Sequence, residues 1–181
     1  MSLPHLLLGL LSFEPQSGYD LNKRFDASVN NFWTTDQSQI YRALYKLLDK
    51  GQVRVETVVQ EGQPDKKVYH LTGTGAAALD QWLATPINTE NMTVREGWLG
   101  QLFFGERIPP EELRDVLETY KRQSQTIIDT LGFIRKQYYP DNAKLNYGAR
   151  LRLLTIEYGI QVNQAAVEWY DFAIAVVEAE I

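Results

Sequence analysis

From Leu151 to Val176 the residues Leu151, Leu154, Tyr158, Val162, Ala165, Trp169, Phe172 and Val176 step by three and four without a break, the spacing that lines one stripe of a long helix. A stripe of that length has to be covered. Upstream, Leu113, Leu117, Tyr120, Ser124, Ile127, Leu131, Ile134 and Tyr138 repeat the pattern after Pro109-Pro110, and Tyr139-Pro140-Asp141 ends that helix. Two long helices with few other elements cannot bury both stripes as an isolated hairpin. A second copy of the chain is the natural cover, which makes the eight residues from Leu151 to Val176 the candidate dimer interface.

The first half of the chain has a different rhythm. A leucine-rich helix is predicted over residues 4–13, closed by the breaker cluster Glu14-Pro15-Gln16-Ser17-Gly18. Tyr19, Leu21, Phe25 and Val29 mark a second helix, with Ser17 or Asp20 as its N-cap. The third starts near Asp36, repeats Ile40, Ala43, Leu44, Leu47 and Leu48 at helical spacing, and meets Gly51 where a left-handed C-cap belongs. After Gly51 the period drops to two. Val53 and Val55 alternate with Arg54 and Glu56, Glu61-Gly62-Gln63-Pro64-Asp65 turns the chain, and Lys67, Tyr69 and Leu71 return. A helix at Ala76–Leu83 follows. Helix, helix, helix, hairpin, helix is the order of a winged helix-turn-helix. The expected fold is therefore mainly α, with a winged helix and its β-hairpin wing at 1–83 and a long-helix dimerisation domain at 84–181.

Composition narrows the chemistry. The chain has no cysteine, and His5 and His70 stand far apart in sequence, so neither a protein-built metal site nor a cofactor is expected. The run Leu6-Leu7-Leu8-Gly9-Leu10-Leu11 is too short to span a bilayer and lacks a cationic lead-in, so the reading is a cytoplasmic protein with no membrane partner. A net charge of −5 looks unfavourable for a phosphate-binding protein, but it is unevenly spread. Residues 1–83 hold eight Lys/Arg against nine Asp/Glu, and residues 84–181 hold ten against fourteen. No nucleophile elbow, phosphate loop or metal cluster appears, and Glu111-Glu112 sit at a helix start where acids complement the dipole. An enzyme is not expected.

With Ile40, Ala43, Leu44 and Leu47 facing inward, Gln39, Arg42, Lys46 and Asp49 turn outward. Gln39 suits an adenine edge, Arg42 guanine or phosphate, and Lys46 phosphate, while Ser38 and Tyr41 stand close enough to add phosphate hydrogen bonds. Lys66 and Lys67 flank the turn of a ribbon that could lie over a DNA backbone. These seven are the candidate contacts to double-stranded DNA. An ordinary solvated helix face would have a similar composition, and it is the order of helix then ribbon that gives these residues weight.

Several short motifs occur together: Ser17-Gly18-Tyr19-Asp20-Leu21, Phe32-Trp33, Gln39-Ile40-Tyr41-Arg42-Ala43-Leu44-Tyr45-Lys46-Leu47 and Lys67-Val68-Tyr69-His70-Leu71-Thr72-Gly73-Thr74-Gly75. In that order they resemble the PadR family of winged-helix transcriptional regulators, and the length of the second half resembles the subgroup with an extended helical C-terminal domain. Arg42 stands where that family often has proline, and Asp65 makes this wing less basic than is common. The resemblance implies a homodimeric, sequence-specific DNA-binding regulator, a repressor more often than an activator, relieved in some members by a small, often aromatic effector. Trp98, Phe103 and Trp169 are the candidate effector pocket, although plain packing of a helical core accounts for the same aromatics. The rival reading is a winged helix that binds only another protein.

Overall fold

In the computed structural model, α1 (Leu3–Leu11), α2 (Gly18–Ser28) and α3 (Gln37–Asp49) bury Leu7, Leu8, Leu21, Phe25, Ile40 and Leu44 against one another. The structure describes residues 3–29, 32–59, 65–86, 97–141 and 144–181, and the chain divides into two compact units, Met1–Met92 and Thr93–Ile181. The expected turn at 61–64, Asn30-Asn31 and the connection at 87–96 lie outside the described residues.

The boundaries of α3 follow from its end residues. Asp36 adopts an extended conformation and its side chain accepts the Gln39 amide at 2.8 Å, a true N-cap. At the other end Gly51 turns to φ +64°, the Gln52 amide donates to the Leu47 carbonyl at 2.9 Å and the Gly51 amide to Leu48 at 3.0 Å. This is a Schellman stop, and it launches the chain into the sheet.

β2 (Val53–Val58) and β3 (Lys66–Leu71) pair antiparallel with Val55 opposite Tyr69. The breaker cluster holds a strand that the sequence reading did not anticipate. Gln16 and Ser17 form β1, pairing with Tyr69 and Val68, because the outer edge of β3 offers their backbone groups partners. Val55, expected to face inward, is 37% exposed, since the hairpin runs out past the helical core after Val53. α4 (Gly73–Ala84) begins three residues before the expected Ala76 because Thr72 caps it, accepting the Gly75 amide at 3.1 Å.

α4 also brings Trp82 onto α1. The His5 ring stacks on it with centroids 5.2 Å apart and planes 2° from parallel. Burial, and then the charge of Lys50, hold the His5 pKa below its usual value, so the folded protein prefers the neutral ring. The unfolded chain takes the proton more readily as pH falls through about 6.5, so this contribution is complete above that pH and is lost below it. His5→Phe keeps the stacking and removes the titration. Urea midpoints at pH 7.5 and pH 5 are expected to fall less for the variant, and an equal fall in both proteins would remove His5 from the acid response.

In the second unit the short α5 (Gly97–Phe103), which the sequence reading did not foresee, and a 3₁₀ turn at Gly105–Arg107 precede α6 (Pro110–Tyr138) and α7 (Tyr147–Glu178). Lys121 pairs with Asp171 and Arg135 with Glu157, so the two long helices run antiparallel. Leu117 packs with Tyr170, Ala173 and Ile174, and Leu131 packs with Ile156 and Ile160. Most of the α6 stripe turns toward α7, but Ile127 and Tyr138 do not and remain exposed. Leu151, Leu154, Tyr158, Val162, Ala165, Trp169, Phe172 and Val176 are all exposed within the chain. α7 thus carries two apolar stripes, one spent on α6 and one open.

Candidate nucleic-acid interface

The outward face of α3 presents Ser38, Gln39, Arg42 and Lys46 to solvent. A short hydrogen-bond chain runs along it from the cap: Ser38 Oγ donates to Asp36 at 2.6 Å, Gln39 Nε2 donates to Asp36 at 3.1 Å, and Arg42 Nη2 donates to Ser38 Oγ at 3.1 Å. The Ser38 hydroxyl, followed by the Gln39 amide, holds the Asp36 carboxyl below the usual carboxylate range. Arg42 is folded back on its own helix, with Nε 3.3 Å from the Ser38 carbonyl. These exposed bonds are individually weak, so the guanidinium can be exchanged onto a ligand at small cost. Arg42 and Lys46 have no carboxylate within ion-pair distance among the described residues.

Tyr41 is placed differently from the other candidates. Its ring is half-buried against α2 at Gly18, where an added Cβ would meet it at 2.5 Å. Glycine at position 18 is what lets α2 approach α3 so closely.

The two wing lysines also differ. Lys66 Nζ lies 2.8 Å from Asp20, and its hydrogen bond, with a second from Ser17, keeps the Asp20 carboxyl low. Lys67 is exposed with no carboxylate partner among the described residues. Arg54 on β2 lies 3.6 Å from Glu56 and 3.2 Å from His70 Nδ1, which occupies a third cation within the sheet. Among the described residues of this unit the cations without a carboxylate partner are Lys23, Arg42, Lys46, Lys50 and Lys67, of which Arg42, Lys46 and Lys50 belong to α3 or its C-cap and Lys67 to the wing.

In the second unit Trp98 sits 5.1 Å from Trp169, 5.4 Å from Tyr170 and 6.3 Å from Tyr120, whose hydroxyl donates to Gln101. The structure brings Trp98 and Trp169 together but not Phe103, which is 80% exposed and pairs with Phe104. Tyr120 and Tyr170 take its place; Tyr120 belongs to the stripe of α6, and the antiparallel register of α6 and α7 brings it to the tryptophans. Among the described residues no three His, Cys, Asp or Glu are grouped to hold a metal ion, and no helix is long and apolar enough to cross a membrane.

A three-helix core with an antiparallel hairpin and a polar, cationic third helix defines a winged-helix protein. The model of the transcriptional regulator PadR-like family matches residues 7–81, and that of the virulence activator alpha C-terminal region matches residues 94–178. A probable transcriptional regulator of Mycobacterium tuberculosis is 31% identical over 94% of this chain and 95% of its own. The negative transcriptional regulator PadR of Bacillus subtilis is 31% identical over 71% of this chain and 70% of its own. Its structure in complex with operator DNA has a TM-score of 0.85 at 24% identity, covering 96% and 97% of the two chains. A second structure of that protein, in complex with p-coumaric acid, has a TM-score of 0.78 at 25% identity, covering 97% and 98%. The Vibrio cholerae virulence activator AphA is similar at TM-score 0.79 and 32% identity over 99% and 100%. The chain belongs to the PadR-like family of transcriptional regulators.

Proposed function

We propose that this chain is a homodimeric repressor in which residues 1–83 read duplex DNA through α3 and the β2–β3 wing and residues 84–181 hold the two copies together. The observation that carries this reading is the outward face of α3, where Gln39, Arg42 and Lys46 are exposed together and the two cations have no carboxylate partner among the described residues. A two-fold dimer presents two such helices to half-sites about one helical turn apart. The open stripe on α7 supports the second copy, and the name of the Bacillus subtilis relative supports the negative sign of regulation. The Trp98–Trp169 cluster is the place we assign to a small aromatic effector, in keeping with the p-coumaric acid held by that relative.

Fluorescence anisotropy on duplex DNA at two salt concentrations tests the proposal. The logarithm of affinity should fall steeply with that of salt, and Lys67→Gln should flatten the slope by close to two units, about one for each protomer, for all sequences alike. Lys66→Gln should do less, because Asp20 already neutralises that ammonium. Adding p-coumaric acid as the effector probe should weaken the same complex. A flat salt response in a folded protein would instead favour a module that binds another protein.

A further inference from the structure

The sequence pattern turns Gln39, Arg42, Lys46 and Asp49 outward, and the buried side chains shift the centre of that face away from Gln39 and Lys46 toward Ser38 and Asp49. At about 100° per residue, Ile40, Ala43, Leu44 and Leu47 centre the inward direction, and Ser38, Arg42, Tyr45 and Asp49 lie within about 30° of the opposite meridian. Lys46 and Gln39 stand roughly 70° and 90° round from it. Tyr45 is therefore nearer the centre of the reading face than either, and it is 58% exposed. On this meridian Arg42 is the cation and Asp49 the acid, and a large ring more than half exposed between them is out of keeping with a surface that only has to be soluble or to meet phosphates.

We propose that Tyr45 is a specificity-determining residue that recognises the 5-methyl group of thymine in the major groove; this rests on the DNA reading of α3 proposed above. Among the four bases only thymine presents an apolar group on the major-groove edge, and an aromatic side chain is a suitable partner for it. Arg42 and Tyr45 are separated by three residues, which places them as neighbours on the helix surface, about 5–6 Å apart at Cβ. Neighbouring side chains address neighbouring base pairs. With Arg42 on guanine, the preferred half-site holds a thymine within a base pair or two of that guanine. Lys46 and Gln39, further round on the same side, face one wall of the groove.

The test removes one methyl group from DNA and nothing else. Duplexes enriched from a random library by the full-length wild-type chain are resynthesised with each thymine replaced in turn by deoxyuridine. One thymine per half-site is expected to lose about fourfold in affinity, the value of one buried methyl group. Tyr45→Phe should keep that discrimination. Tyr45→Ala should lose it, binding the thymine and deoxyuridine duplexes alike with an unchanged melting temperature. Discrimination retained in Tyr45→Ala, or absent at every thymine in the wild type, overturns the proposal. If the library yields no enriched sequence at all, the DNA reading of α3 has failed, and this proposal fails with it.

Discussion

Arg42→Ala combined with Lys46→Ala is expected to weaken binding to the preferred duplex more than any other pair of surface substitutions in the first unit, without unfolding it. Among the described residues Arg42 hydrogen-bonds to Ser38 on its own helix, and Lys46 is exposed, so the folded state loses little when both are truncated. The complex loses much more. A guanidinium paired with guanine is worth about 1–3 kcal/mol and a phosphate contact less, and a two-fold dimer makes each contact twice. Losses of two orders of magnitude or more are therefore expected, with part of the loss independent of salt because base contacts release few counterions. Anisotropy on wild-type and variant protein, with thermal melts as a control on folding, decides the point. Unchanged affinity in a folded double variant would take α3 out of the interface.

Much of the winged helix was legible because its signals are local. Asp36 and Gly51 punctuate α3, the leucine spacing fixes its inward face, and the change of period at Val53 announces the hairpin. What the sequence did not disclose depends on partners distant in the chain. Gln16-Ser17 becomes a strand only because β3 has a free edge, and Lys66 is neutralised by an Asp20 that no local pattern links to it. Tyr45 is absent from the expected contacts for a related reason: steps of three and four from Gln39 run through Arg42, Lys46 and Asp49 and pass it by, and only the set of residues that the core absorbs locates the meridian. The aromatic cluster was half legible. Trp98 and Trp169 meet, but Tyr120, which also joins the group, is brought there by the antiparallel register of α6 and α7.

Val162→Glu is expected to have the largest effect of all. α7 packs on α6 with Ile156, Ile160 and Ile174 on one side, while Leu154, Tyr158 and Phe172 on the other are each more than 60% exposed in the single chain. Apart from Trp169, whose ring meets Trp98, the apolar stripe read from the sequence is thus left exposed within the chain. A protein rarely leaves seven aligned residues of this kind in water, and a second copy docking the same stripe covers both at once. Each large side chain so buried contributes roughly 1.5–3 kcal/mol, enough in sum to outweigh the roughly 4–15 kcal/mol lost in association. Val162 lies at the middle of the stripe, so a carboxylate there is buried unpaired in both protomers, and breaking an interface in this way costs several kcal/mol per charge. Sedimentation should show monomers or aggregates in place of a dimer, and DNA affinity should collapse, because a lone winged helix keeps only half of the phosphate and base contacts. The α6–α7 core lies on the opposite side of the helix and should survive, leaving helical content near that of the wild type. An intact dimer with normal DNA binding would place the two-fold contact on another surface of the chain.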